Sequence, residues 1–421
     1  MTAVALAIGA ALLAAVAILG LAIWSIKAHR EPRLTLRPEA PLQAMLPSLA
    51  GLALGAPTAG NAVELLEDAA FFDALLADIG AARRTVHFET FLWKEGVLGQ
   101  RVADALSAAA RAGRTVRVVL DANGCKRMGR RVREQLRAAG CGLAFYHPRT
   151  LANIGVVLER DHRKIAVLDG RIAYVGGHCI TDEWIGEGGK PPVRDVSVRL
   201  RGPVVHAIQS AFCENWVEVT GHLFAGDDSF PPLEEAGETV AHVASLKPEG
   251  SPPAVKLLHY GAICLARKRL WIQNPYFLPE PEARQAFAEA VRRGVDVRVM
   301  MPAAEVSDMP LVQHAAHRNF QRLLEDGVRL FEYRRVLLHQ KVMTADGTWC
   351  AVGTTNFDVR SLETDDQITV GFQDAALAAR LERMFEHDLQ HCVELDAASW
   401  RRRPALHRLK DNTLHLLKEV L

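Results

Sequence analysis

The sequence predicts an α/β fold built from two copies of one half. Three observations support this. One motif occurs twice at domain-sized separation, helix-like and strand-like segments alternate in the same order before each copy, and a stretch rich in Gly, Pro and acid divides the chain between them. The first copy runs His162-Arg163-Lys164 to Asp169 and then Gly170; the second runs His339-Gln340-Lys341 to Asp346 and then Gly347. Each reads His-x-Lys-x4-Asp, then a turn glycine, an apolar strand and a small-residue turn. Chance alone supplies about 0.02 matches to that spacing at this composition. The histidines lie 177 positions apart (339 − 162), too far for a solenoid unit.

The chain opens with an apolar run, Ala3 to Trp24, that has no charge or hydroxyl. As a helix it spans about 33 Å, enough to cross a bilayer core. No Lys or Arg precedes the run and no small-x-small site closes it, so it reads as an uncleaved anchor over 3–26, not a signal peptide. Lys27, Arg30, Arg33 and Arg37 follow, which predicts a single pass with the body in the cytoplasm. Residues 27–60 carry five prolines and read as a linker, with a short membrane-hugging turn around Leu46 to Leu54.

The first half is expected over 61–225. Apolar spacing predicts a helix over Phe71–Ile79, then a strand over Thr85–Phe91 and a helix over Val102–Arg111 closed by Gly113. Thr115–Leu120 is a near-continuous β-branched run, suited to a strand buried on both faces in a parallel-rich sheet between helices. Residues 226–254 read as a linker. The second half, 255–395, repeats the order: helix Val255–Ala266, strand Leu270–Asn274, helix Glu282–Arg293 and strand Val295–Met301. The tail, 396–421, pairs Arg401-Arg402-Arg403 with spaced leucines, as in an amphipathic helix that lies on a membrane or caps the body.

Composition narrows the chemistry. A formal charge of +1 over 421 residues gives no general attraction to nucleic acid, so any pull on anions is local. The seven cysteines are scattered without Cys-x-x-Cys spacing, which argues against a disulfide scaffold or a zinc site and suits a reducing compartment. In an extended segment, residues two apart share a face, so His162 projects with Lys164 and His339 with Lys341. An imidazole can attack phosphorus or protonate a leaving oxygen, and a neighbouring ammonium offsets phosphate charge. The motif itself requires no cofactor and no metal.

These motifs resemble those of the phospholipase D superfamily, and the chain is most similar to its cardiolipin synthase branch from about Gly60 to Leu395. The likeness also rests on Gly60-Asn61-Ala62-Val63-Glu64-Leu65-Leu66, Val86-His87-Phe88-Glu89-Thr90-Phe91 and Arg201-Gly202-Pro203-Val204-Val205. Asn274-Pro275-Tyr276-Phe277-Leu278-Pro279 and Asn356-Phe357-Asp358-Val359-Arg360-Ser361-Leu362 complete it. The resemblance implies a duplicated αβα sandwich with pseudo-two-fold symmetry, preceded by one transmembrane helix in a bacterial inner membrane. It implies a phosphatidyltransferase acting on an anionic phospholipid, phosphatidylglycerol, with no nucleic-acid partner and with the oligomeric state left open. The same histidines would serve a hydrolase or nuclease, and departures from the family pattern leave a lapsed membrane scaffold as a third reading.

By the same resemblance, His162 is the nucleophile and His339 the acid/base. Lys164 and Lys341 hold phosphate oxygens, and Asp169 and Asp346 close the turns. Each histidine needs a partner on its other nitrogen. Asp195 is expected to partner His162; for His339 the family glutamate falls on Gln367, with Asp365 or Asp366 as charged substitutes. Glu89 supports the site from the first strand, and Tyr276 lines the cleft or joins the core. Where relatives carry Gly-Gly-x-Asn, this chain has Gly176-Gly177-His178-Cys179, while the second motif keeps Asn356 as a phosphate contact. His178 is read as structural. The cations from Lys126 to Arg137 offer a landing surface for anionic headgroups or a solvated helix face.

Overall fold

A computed structural model describes residues 9–10, 13–15, 17–18, 21, 42–53, 55–153, 156, 159–189, 191–247 and 253–415. The chain divides into two units, Met1–Arg37 and Pro38–Leu421. The described residues of the first are helical. Most of the expected anchor and the end of the tail, 416–421, lie outside the described residues, and no helix among the described residues is long and apolar enough to cross a membrane.

The second unit holds both motifs. Its first half runs β1 (Thr58–Glu67), helix Ala70–Ala81, β2 (Thr85–Thr90), helix Val97–Arg111, β3 (Thr115–Asp121), helix Arg130–Ala138 and β4 (Gly142–Tyr146). Then come β5 (Lys164–Leu168), β6 (Ile172–Gly176), β7 (Val196–Arg201) and helix Val205–Thr220. The second half repeats this: β8 (Thr239–Leu246), helix Ala254–Leu265, β9 (Arg269–Gln273), helix Pro281–Arg292, β10 (Asp296–Pro302), helix Pro310–Glu325 and β11 (Arg329–Tyr333). It ends with β12 (Val342–Ala345), β13 (Trp349–Gly353), β14 (Gln367–Gln373), helix Ala375–Asp388 and a short β15 (Cys392–Glu394).

All of these strands join one sheet. From one end it reads β4-β3-β2-β5-β6-β7-β1, and from the other, inside β15, β11-β10-β9-β12-β13-β14-β8. The two series meet where β1 pairs antiparallel with β8, so the sheet is palindromic about a pseudo-two-fold axis. It is mixed: among the described strands β2-β3-β4 and β9-β10-β11 run parallel, and the other strand pairs are antiparallel. The crossover helices explain the parallel trios, and the tight turn inside each motif explains the hairpins.

Two expectations are corrected. Thr239–Leu246, inside the stretch read as a linker, is a strand at the centre of the sheet. Its Val-Ala-His-Val run is short, and the composition of its flanks masks it. The segment expected to hug a membrane is a helix, Leu42–Leu52, whose Leu42, Leu46, Leu49 and Ala50 are buried. It docks on helix Ala254–Leu265, where Gly261 leaves room for the end of the Leu49 side chain.

The halves share a core. Val167, Val175, Val198, Ile208 and Phe212 from the first pack in one cluster with Val342, Val352, Ile368, Val370 and Leu381 from the second. This common apolar layer holds the two motif strands in fixed relation. The tail also joins the body: helix Ala405–His415 packs on helix Pro310–Glu325, leaving Leu406 and Leu409 exposed.

Candidate active site

The Asp-Gly that ends each motif sets the strand in place from its far end. Asp169 and Gly170 have φ of 53° and 62°, and Asp346 and Gly347 have 56° and 68°. These are the left-handed values of a type I′ turn, and they fold β5 onto β6 and β12 onto β13. The Asp169 carboxylate also accepts the main-chain N–H groups of Arg83, Arg84 and Thr85 at 2.7–2.9 Å. Asp346 does the same for Arg267, Lys268 and Arg269. Each aspartate thereby ties its hairpin to the loop that starts β2 or β9. Six residues, mostly extended, separate it from its histidine, on the order of 20 Å, so neither carboxylate touches the reacting centre.

At the other end of these strands the halves exchange partners. The His162 N–H donates to the Asp366 carbonyl, and the Asp366 N–H returns to Arg160. Symmetrically, the His339 N–H donates to Arg194, whose N–H returns to Leu337. Each motif histidine is thus stitched beside the partner strand of the opposite half. His339 Nδ1 lies 2.9 Å from Asp195 Oδ2, and His162 Nδ1 lies 3.1 Å from Gln367 Oε1. This reverses the expected pairing, in which each partner served the histidine of its own half. Within one half, partner and histidine lie on different strands, and only the two-fold brings the right pair together. Asp195 also accepts from Trp184 Nε1 at 2.9 Å, and Gln367 Oε1 from the Thr354 hydroxyl at 2.6 Å. Gly177 has no side chain because a Cβ there would fall on the Asp195 carboxylate.

The two lysines fold toward the same point. Lys164 Nζ donates to the His162 carbonyl at 2.8 Å, and Lys341 Nζ lies 3.0 Å from both ring nitrogens of His339. Phe91 sets its edge against His162 and Trp184 against His339, at 4.9 and 5.1 Å between ring centres. Electrostatics follow from this crowding. Burial, then the Lys164 and Lys341 charges, hold His162 well below the usual histidine range. Burial and Lys341 lower His339 as well, but Asp195 opposes them. Burial raises Asp195, yet His339 and His178 outweigh it and keep the carboxylate ionised. Burial drives Lys341 down to about 7 and also lowers Lys164. Lys341, its charge weakened by burial, is poised to gain full charge when an anion arrives.

Residues 75–185 and 261–389 match the family described as "Cardiolipin synthase, PLD-like domain", one motif falling in each stretch. The chain belongs to the cardiolipin synthase family. A probable cardiolipin synthase of Bacillus subtilis (strain 168) is 31% identical over 345 residues, which is 81% of this chain and 68% of that protein. A cardiolipin synthase of Geobacillus kaustophilus (strain HTA426) is 30% identical over 354 residues, 83% of this chain and 70% of that one. Among solved structures, phosphatidylserine synthase of Haemophilus influenzae Rd KW20 superposes with a TM-score of 0.71 at 14% identity. It covers 90% of this chain and 97% of its own, a likeness of fold.

The departures from the family pattern have clear surroundings. His178 donates or accepts at both nitrogens, to Ser197 Oγ at 2.7 Å and the Asp68 carbonyl at 2.8 Å, and stacks on Phe71. It is built into the fold. Cys179 is buried, and burial pushes its thiol up to about 11. Asn356 is buried with its Oδ1 unpartnered among the described residues. Asp365 and Asp366 do not reach His339. Asp365 accepts from the Arg160 N–H at 3.2 Å and pairs with Arg360, while Asp366 faces Lys247.

Glu89 accepts from Asn215 Nδ2 at 2.8 Å and lies on β2, paired with Ile165 of the motif strand β5. At the matching place in the second half, Gln273 donates to Asp388 at 3.1 Å, so acid and amide have changed sides. Tyr276 hydrogen-bonds Asp308 at 2.7 Å, and Asp308 acts electrostatically on both His339 and Lys341. Neither Trp184 nor Asp308 was expected from sequence, because one sits in a single 3-10 turn and the other in a loop, both outside the His-x-Lys-x4-Asp motifs.

Proposed function

We propose that this chain transfers a phosphatidyl group from one phosphatidylglycerol to a second, through phosphohistidine, with release of glycerol. The observation that carries the proposal is the crossed pairing, His339 with Asp195 and His162 with Gln367, which gives two imidazoles in one site unequal tasks.

With Nδ1–H held by the neutral Gln367 carbonyl and its basicity suppressed, His162 presents an uncharged Nε2 lone pair. That nitrogen attacks phosphorus and the P–O bond to glycerol breaks. His339, whose protonated form Asp195 stabilises, gives its proton to the departing alkoxide. The neutral His339 then takes the proton of the incoming phosphatidylglycerol hydroxyl, which attacks phosphohistidine and frees His162. Lys164 and Lys341 balance the charge on the non-bridging oxygens. The hydrogen bond from His162 to Gln367 keeps this machinery intact without a second carboxylate, which weighs against a lapsed scaffold.

A lipid substrate fits the chain's own features. The apolar run at 3–24 with its cationic flank anchors it to a bacterial inner membrane with the body in the cytoplasm, and Arg130, Arg131 and Arg137 add cations that favour an anionic surface. The test is turnover of phosphatidylglycerol in mixed micelles by the purified full-length protein. Cardiolipin and glycerol in equal amounts are expected; phosphatidic acid without cardiolipin would make the enzyme a hydrolase.

A further inference from the structure

Outside the two motifs, two histidines one helical turn apart face one buried aspartate. His314 and His317 lie on helix Pro310–Glu325, and Asp411 lies on helix Ala405–His415. Asp411 is only 2% exposed. Its Oδ1 sits 3.2 Å from His314 Nδ1 and 3.6 Å from His317 Nδ1. The three ligand atoms lie within 4.8 Å of one another, and among the described residues no other group of three His, Cys, Asp or Glu side chains converges in this way.

Hydrogen bonding explains only part of this. The 3.2 Å contact is a hydrogen bond; 3.6 Å is beyond one, yet the second ring still turns a nitrogen to the same oxygen. A shared cation accounts for both. Bonds of about 2.0–2.1 Å at tetrahedral angles place neighbouring donor atoms about 3.3–3.4 Å apart, between the two observed separations.

The surroundings are those of a metal site's outer shell. Glu332 Oε1 lies 3.8 Å from His317 Nε2, the nitrogen facing away from Asp411. At that distance the carboxylate acts through charge, favouring the proton on Nε2 and so the tautomer that leaves Nδ1 free to bind. Arg403 holds the other aspartate oxygen, Oδ2, at 2.8 Å, leaving Oδ1 turned to the rings. His314 keeps about a quarter of its side chain exposed, which gives an ion a way in and solvent a fourth position.

We propose that His314, His317 and Asp411 bind one divalent transition-metal ion of the zinc class, which staples the C-terminal helix to the body. Two imidazoles and one carboxylate suit zinc and its neighbours and suit calcium or magnesium poorly. The ion would hold helix Ala405–His415 against helix Pro310–Glu325 with its basic turn and exposed Leu406 and Leu409 facing outward. It takes no part in the phosphoryl chemistry.

The experiment uses the full-length protein in detergent, stripped with EDTA and titrated with zinc chloride alone and with cobalt chloride alone. One zinc per chain is expected, with cobalt giving visible bands of a tetrahedral site. His314→Ala and His317→Ala should each weaken zinc binding at least about 100-fold. His314→Gln, which keeps a side chain able to hydrogen-bond Asp411, should weaken it as much while leaving the thermal midpoint near wild type. Zinc should slow tryptic cleavage at Arg408 in wild type but not in the variants. Absence of stoichiometric binding would overturn the proposal, as would unchanged zinc affinity in His314→Gln. Equal protection of the tail with and without zinc would reduce the cluster to an ion-pair network and overturn the staple.

Discussion

Replacing Asp195 by Asn tests the unequal roles of the two histidines. The carboxylate is fully buried, and its Oδ2 lies 2.9 Å from His339 Nδ1. Charge centres about 4 Å apart at an effective dielectric near 20 interact by about 4 kcal/mol. That is the stabilisation the imidazolium loses. An amide oxygen in the same place restores about 1 kcal/mol through its hydrogen bond. The net loss, about 3 kcal/mol, corresponds to a fall of roughly 10²- to 10³-fold in transfer rate. The assay is the initial rate of cardiolipin formation in phosphatidylglycerol micelles, with thermal unfolding as the control for folding. The pH profile should move as well. A general acid must be protonated, and without Asp195 His339 loses its proton at lower pH, so the alkaline limb shifts down. Gln367→Met, which removes only a neutral hydrogen bond of about 1 kcal/mol, should cost less than about tenfold. The reasoning fails if Asp195→Asn stays within tenfold of wild type, or if Gln367→Met falls equally far.

Other consequences follow from the same geometry. Asp169→Asn should lower stability by about 1–2 kcal/mol, since it weakens the acceptor of three main-chain N–H groups, while KM stays within about twofold; denaturant unfolding and steady-state kinetics read the two effects. Burial pushes Glu89 up to about 7 from the ordinary glutamate value of about 4.5, so between those pH values the folded chain holds a proton that the unfolded chain has lost. Its contribution to stability is therefore complete below 4.5 and declines as pH rises through 7. Glu89→Gln should flatten that decline, seen as a smaller drop in melting temperature from pH 5 to pH 8. Cys179, buried with its thiol pushed up to about 11, should resist iodoacetamide at pH 8 in the native protein and react on unfolding.

Much of the architecture is legible in the chain because each element has a local signature. The β-branched run at Thr115 to Leu120, the Asp-Gly turns and glycines such as Gly113 and Gly294 just past their helices speak for themselves. The pairing of the site residues depends on the two-fold. Asp195 and Gln367 are recognisable as partners, but which histidine each serves is decided by strands meeting across the axis. The exchange of Glu89 and Asn215 for Gln273 and Asp388 hides in the same way, because the pairing is kept while both residue types change. Strand Thr239–Leu246 is a short, mostly buried run without clean alternation, lost among prolines and glutamates. Trp184 and Asp308 reach the site from a single turn and a loop, and no periodicity marks such a residue for a distant cleft.

The central claim is that His162 carries the phosphatidyl group while His339 moves protons. Its most direct test is trapping with phosphatidylglycerol labelled in the phosphatidyl phosphate, quenched in alkali and mapped by peptide mass. The account predicts label on His162 in the His339→Ala protein and none in the His162→Ala protein. Label on His339 in the His162→Ala protein would contradict it.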